Sequence, residues 1–211
     1  MRYEEVISNV NIYGLEESMK GSWYPVTVDS SGMNEDTKDF EYRPSGAMTG
    51  SGRDSFLNGI IVQFDLTFTN KAWVEAERYH FLDFINTQSP MHRMTTYDLD
   101  QAYIEYTDPR IVEIMKEKVK DYNELQEDIN TRKEEGKDVT TLKDLSKEKY
   151  LEILYSNPAG FRLTARMTTN YSQLKTIYFQ RHENRLPEWQ AFCEWITTLP
   201  YSEFIIGGNT K

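Results

Sequence analysis

Residues Ile60–Thr69 read IIVQFDLTFT and run directly into Asn70–Asn86, NKAWVEAERYHFLDFIN. In the first stretch Val62, Phe64, Leu66 and Phe68 alternate with Gln63, Asp65, Thr67 and Thr69. Successive side chains of a strand point to opposite faces, so this period of two marks a strand with one buried face. In the second stretch Trp73, Glu77, His80 and Phe84 share one helical face, and Val74, Arg78, Phe81 and Ile85 share the next. That spacing predicts an amphipathic helix, with Asn70 as its cap. The polar segment TQSPMHRM follows at Thr87–Met94 and supplies Gln88, Ser89, His92 and Arg93. Basic groups on both sides of a helix end, with hydroxyl and amide groups between them, suit an anionic small molecule. Glu77 and His80 read either as an acid–base pair or as a surface pair.

Outward from this centre, Tyr3–Tyr13 reads as a strand and Leu15–Lys20 as a short helix. The polar, Gly/Ser-rich run Val26–Arg53 predicts a long loop or lid. Residues 94–107 read as irregular. Ile111, Met115, Val119, Tyr122, Leu125 and Ile129 recur at helical spacing to about Arg132, and KEEGKDVTT then breaks the pattern. A second helix over Leu142–Tyr155 completes a helical hairpin, closed by Asn157-Pro158. Phe161–Met167 reads as a strand or an irregular bridge. Helices over 170–183 and 187–198 follow, with Pro187 well suited to a first helical position. The expectation is one α+β domain over 1–211, with a helical hairpin inserted at about 108–155.

The chain has 211 residues, 38% hydrophobic content and a formal net charge of -10. It lacks the basic stripe that nucleic-acid binding needs. Residues 161–186 reverse the sign, with Arg162, Arg166, Lys175, Arg181 and Arg185 against the single acid Glu183. Such a cluster can focus positive potential on an acidic protein. Cys193 is the only cysteine and sits in the apolar run WQAFCEWI. No disulfide within the chain and no cysteine-based zinc site is expected, nor any other metal. Nothing resembles a signal peptide or a membrane span, so a soluble cytoplasmic protein is expected.

Asn170, Leu174, Ile177 and Arg181 fall on one stripe of their helix. An arginine ending an apolar stripe needs a partner. Either a phosphate or planar heterocycle fills that role, or a plain ion pair with Glu183 or Glu188. Ser89 has no Gly-x-Ser-x-Gly setting, which disfavours a hydrolase, and TGSGRDS lacks the lysine of a phosphate-binding loop.

The order VQFDLTFT, ERYHF, INTQSPMHR and TTNYSQLKTIYFQR resembles the flavin-dependent thymidylate synthases, the ThyX family, over about residues 55–200. That family has a comparable strand, a helix ending in Arg-His-Arg, a serine near an arginine, and a late Asn…Arg helix. Here the triplet reads Arg78-Tyr79-His80, or Tyr79-His80-Phe81 with the frame shifted by one to bring Ser89 into line; Arg53-Asp54-Ser55 stands where a histidine is usual, and Asn184 or Arg185 replaces a second histidine. The departures resemble a divergent, phage-type branch.

The resemblance implies an α+β, ThyX-like fold with a central mixed or antiparallel sheet. It implies a homotetramer whose sites are shared between subunits. Ser55, Arg78, His80, Asn170 and Arg185 would face FAD, while Glu77, Gln88, Ser89, Arg93 and Arg181 would hold the nucleotide, with Arg181 and Ser89 nearest the chemistry. The implied activity moves a one-carbon unit from methylenetetrahydrofolate to C5 of dUMP using reduced FAD, with NADPH as reductant. Two alternatives stand beside it: a pyrimidine hydroxymethylase or dCMP-acting enzyme on the same scaffold, and a non-catalytic binding or assembly protein. The carboxylate of Glu77 motivates dCMP, since it can accept from an exocyclic amine.

Overall fold

The computed structural model describes residues 1–24, 28 and 54–207; the loop expected over 26–53 otherwise lies outside the described residues, as does the His92 side chain. In chain order the elements are β1 (Ile7–Tyr13), α1 (Leu15–Gly21), β2 (Ile61–Thr69), α2 (Asn70–Ala76), β3 (Asp83–Thr87) and α3 (Pro90–Arg93). There follow α4 (Pro109–Glu134), α5 (Thr140–Ser156), β4 (Arg162–Asn170), α6 (Tyr171–Arg181), α7 (Pro187–Thr197) and α8 (Glu203–Ile206). The four strands form one sheet in the order β1-β2-β4-β3. β1 runs antiparallel to β2, and β3 antiparallel to β4. Backbone bonds from Asn70 to Phe161 and from Tyr171 to Ile60 flank the central pair, so β2 and β4 are antiparallel as well. Among the described residues no helix is long and apolar enough to cross a membrane.

The chain divides into two compact units. The first comprises Met1–Phe68, Ala72–Thr87 and Thr164–Lys211. Its core is the face of β2 that alternation marks out: Val62, Phe64, Leu66 and Phe68 are all fully buried. They meet the aromatic face of α7, with Phe64 4.8 Å from Trp195 and Phe68 4.8 Å from Trp189, ring centre to ring centre. β4 adds Ala165, Met167 and Thr169 at the same period of two. The opposite face carries polar groups that satisfy one another. Thr67 and Thr164 share a 2.8 Å hydroxyl bond, and Arg166 donates to Asp65 at 3.2 Å and to the Asn9 carbonyl at 2.7 Å.

The second unit comprises Thr69–Lys71 and Gln88–Leu163 and is built around the expected hairpin. Asp108 caps α4 by accepting the Arg110 N–H at 2.9 Å, and Pro109 occupies the first turn. Gly136, at φ 71°, reverses the chain after α4. Met115, Val119 and Ile153 of the hairpin join Met94, Leu99, Ala102 and Phe161 in a single apolar cluster. The ion pairs across the hairpin, Lys118–Glu152 and Lys149–Asp121, keep an exposed partner and contribute little beside that burial.

One expectation fails. The helix foreseen over 70–86 stops at Ala76. Phe81 adopts φ 62°, a left-handed backbone that no α-helix continues. Asp83–Thr87 then pairs as β3, with Asp83 opposite Thr168 and Phe84 opposite Met167. Phe84 and Ile85 satisfy a helical repeat but suit a strand equally, and the ladder offered by β4 decides between them. Glu77 and His80 therefore do not share a helical face. Phe161–Met167, left open as strand or bridge, lies almost wholly in β4.

Candidate functional site

Asn170 ends β4 and caps α6, its side chain accepting the Gln173 N–H at 2.8 Å. That bond satisfies one of the free donors at the helix start and fixes the rotation of α6. Leu174 and Ile177 consequently face the core, fully buried, and Arg181 emerges at the far end of their stripe.

Arg181 is already partnered within the chain. Its Nη1 donates to Glu75 Oε2 at 2.6 Å, and its Nε donates to the Tyr79 hydroxyl at 2.6 Å. The guanidinium carbon lies 5.0 Å from the ring centre of Trp189 and 5.4 Å from that of Tyr79. Both ends of the ion pair are largely shielded, with side-chain exposures of 16% for Arg181 and 17% for Glu75. Asn184 Nδ2 reaches the same carboxylate oxygen at 3.5 Å. The ion-pair reading of Arg181 is thus the one realised, but Glu183 and Glu188 are the wrong partners. Glu75 comes from α2, more than a hundred residues earlier.

Beside this network lies an open pocket of about 380 Å³. The turn after α2 contributes Arg78, Tyr79 and His80 to its lining; α6 contributes Gln173, Thr176, Gln180 and Arg181. Tyr79 links the two sides, accepting from Arg181 and donating to Gln180 Oε1 at 3.0 Å. Among the described residues no carboxylate lines the pocket. Guanidinium, imidazole and amide donors facing one cleft suit a ligand rich in acceptor oxygens.

The other singled-out residues stand apart from this lining. Glu77 is exposed, as are Arg185 beyond α6 and Ser55 at the start of the 3-10 turn Ser55–Gly59. Asn170 serves the helix start. Gln88, Ser89 and Arg93 belong to the second unit. There Ser89 precedes α3 without a side-chain capping bond, and Gln88 and Arg93 are exposed. The positive balance of residues 161–186 is also smaller in effect than counted. Arg166 pairs with Asp65, Lys175 with Asp54 at 3.7 Å, and Arg181 with Glu75. Burial lowers the Lys175 pKa, and Asp54 opposes that shift.

Sequence reasoning passed over Glu75, Trp189 and the Tyr79–Gln180 link. The only signal for Glu75 was the general need of a shielded arginine for a counter-charge, which does not say where that charge lies.

Cys193 is buried in α7, and burial pushes its thiol up to about 12 against the opposing charge of Arg181. A thiol of that kind holds almost no thiolate near neutrality and is unreactive. A thiol-specific disulfide reagent at pH 8 should label the folded protein negligibly and the urea-unfolded protein completely. Rapid labelling of the folded protein is the contrary result.

No protein-family model and no curated protein matches the chain. Solved structures do. The flavin-dependent thymidylate synthase ThyX from Helicobacter pylori, complexed with FAD and dUMP, aligns over 95% of this chain and 99% of that one, with a TM-score of 0.62 and 14% identity. This chain has the ThyX fold. A second structure of that ThyX, also with FAD and dUMP, covers 98% of each chain, with a TM-score of 0.59 and again 14% identity. The ThyX-like α+β architecture expected from the order of motifs is therefore the one observed, and its sheet is antiparallel rather than mixed.

Proposed function

We propose that the chain is a ThyX-like, FAD-binding enzyme that transfers a one-carbon unit to C5 of dUMP, with methylenetetrahydrofolate and NADPH as co-substrates. The observation that carries this reading is the donor-lined pocket between Arg78-Tyr79-His80 and α6. It is built from the two segments whose order first resembled the family, on a scaffold whose solved relatives hold FAD and dUMP.

The lining fits part of such a ligand. Arg78, His80 and the amides of Gln173 and Gln180 supply donors for phosphate or ring oxygens. At about 380 Å³ the pocket lies near the small end of ligand sites, which suits a fragment of a dinucleotide rather than the whole. That size supports sites completed by neighbouring copies in a homotetramer, with Ser89 and Arg93 holding nucleotide. Bound FAD would supply the redox chemistry; the chain's side chains would bind, orient and stabilise charge developing on the pyrimidine. Cys193, buried and protonated, takes no part as a nucleophile.

Purified protein should show flavin absorption with FAD bound, and should convert dUMP in the presence of methylenetetrahydrofolate and NADPH. Protein that binds no FAD at tens of micromolar rules the reading out. Glu77, the residue that motivated a dCMP-acting enzyme, is exposed and outside this lining, so it gives dCMP no support here. Comparing product masses from dUMP and dCMP decides the substrate. A second reading, a binding protein that kept the scaffold, draws support from Arg181 being committed to Glu75. The flavin spectrum separates the two.

A further inference from the structure

Tyr79 joins two residues of the pocket lining, and the chemistry of those neighbours sets the direction of both bonds. A guanidinium only donates, so the Tyr79 hydroxyl accepts the Arg181 Nε–H at 2.6 Å. The hydroxyl has one proton of its own, and among the described residues its acceptor is Gln180 Oε1 at 3.0 Å. The Gln180 carbonyl is thereby taken. Turning the amide over would set its N–H groups against the hydroxyl proton, so the network fixes which end faces Tyr79. Gln180 is exposed and lines the pocket, and its Nε2 donates to none of the described residues. A free glutamine can present either end of its amide to a ligand. This one presents donors.

We propose that Tyr79 is a positioning residue that sets the specificity of this pocket: by fixing Gln180 as a donor, it favours a ring carbonyl over a ring amine in the bound ligand. The proposal rests on the reading above in taking this pocket as a ligand site, and it adds to that reading a physical ground for uracil over cytosine. Uracil carries a carbonyl oxygen where cytosine carries an exocyclic amine. An amine facing the Gln180 N–H groups leaves donors opposed with no acceptor between them. Gln173 and Thr176 lie outside this constraint. The Gln173 side-chain amide bonds to none of the described residues, and the Thr176 hydroxyl donates to the Ser172 carbonyl at 3.2 Å. Neither is bonded to Tyr79, so their part is the same in every form compared below.

The test is calorimetric titration of the full chain as purified, wild type and variants, with dUMP and with dCMP at neutral pH and constant ionic strength. The two probes share sugar and phosphate, so the ratio of their affinities reads the base alone. Wild type should favour dUMP by about tenfold, the difference between one satisfied and one opposed hydrogen bond. Tyr79→Phe keeps the ring and frees the Gln180 amide, and should bring the preference below about threefold. Gln180→Glu puts an acceptor where the outward donor stood, and should turn the preference toward dCMP. A merely structural role for Tyr79 would weaken both nucleotides alike and leave their ratio where it was. The proposal is overturned if Tyr79→Phe keeps the wild-type ratio or if Gln180→Glu favours dUMP as strongly as wild type does. It is overturned equally if wild type binds neither nucleotide or shows no preference between them. Gln180 is exposed, so Gln180→Glu decides alone should Tyr79→Phe lose its cooperative thermal transition. FAD binding and turnover are read separately. Protein that binds flavin but whose ratio ignores Tyr79 keeps the functional reading and loses this one; a shifted ratio without flavin does the reverse.

Discussion

Arg181→Ala should lower the unfolding free energy by about 2–3 kcal/mol, somewhat below the cost of breaking a fully buried pair because solvent still reaches both groups. The loss has three parts. Glu75 loses its ion pair with Arg181, the Tyr79 hydroxyl loses the Nε donor, and Trp189 loses the charge over its ring. The midpoint of urea unfolding measures the sum. A double-mutant cycle with Glu75→Ala isolates the pair, and a coupling of about 1–2 kcal/mol is expected for two groups in one network. Arg181→Lys should recover only part of the loss, since an ammonium cannot reproduce the planar fork that meets carboxylate and hydroxyl together. A change of less than about 0.5 kcal/mol in Arg181→Ala, the range of ordinary surface substitutions, would show that the network holds nothing in place.

Phe68→Ala should cost more, about 3–5 kcal/mol. Phe68 is fully buried, and its ring meets those of Trp73 at 5.4 Å, Trp189 at 4.8 Å and Phe192 at 6.0 Å. Bulky rings on several sides cannot collapse into the space that the phenyl group leaves, so most of the cavity persists. Against a total stability of about 5–15 kcal/mol, that loss removes a large share of what holds the protein folded. The neighbour Thr67→Ala is the control. It turns to the polar face and gives up one hydroxyl bond to Thr164, worth about 0.5–1.5 kcal/mol. Equal effects at the two positions would mean that the alternation in β2 does not separate a buried face from a polar one.

These two sites also show what sequence could and could not reveal. Phe68 was legible because a strand announces its buried face through alternation alone, with no knowledge of its partners. The hairpin was legible for a similar reason: its apolar stripe, its break at Gly136 and its stop at Asn157-Pro158 are all local. β3 was not. Its residues satisfy two periodicities, and the choice between them rests on hydrogen bonds with a strand some eighty residues away. The site was half legible. Arg181 stood out because a cation ending an apolar stripe needs an answer, and Arg78 and His80 stood out as basic neighbours of a helix end. Glu75 was illegible, since the segment after β2 offers both Glu75 and Glu77 and only folding selects which of them meets Arg181. The same held for Arg166 and Lys175, whose apparent positive field is answered by Asp65 and Asp54 from earlier in the chain.

The Thr67–Thr164 contact between β2 and β4 joins residues 97 positions apart. Closing so long a loop from a disordered chain is slow, because its entropy is lost before the strands gain anything. The hairpin of α4 and α5 lies inside that loop and needs only near neighbours to form. Once folded it shortens the effective tether, and the backbone bond from Asn70 to Phe161 closes what remains. The helical excursion is therefore placed to order early and bring the two central strands within reach. Weakening its Met115–Ile153 packing should slow refolding of the sheet in stopped-flow experiments, although neither residue belongs to a strand.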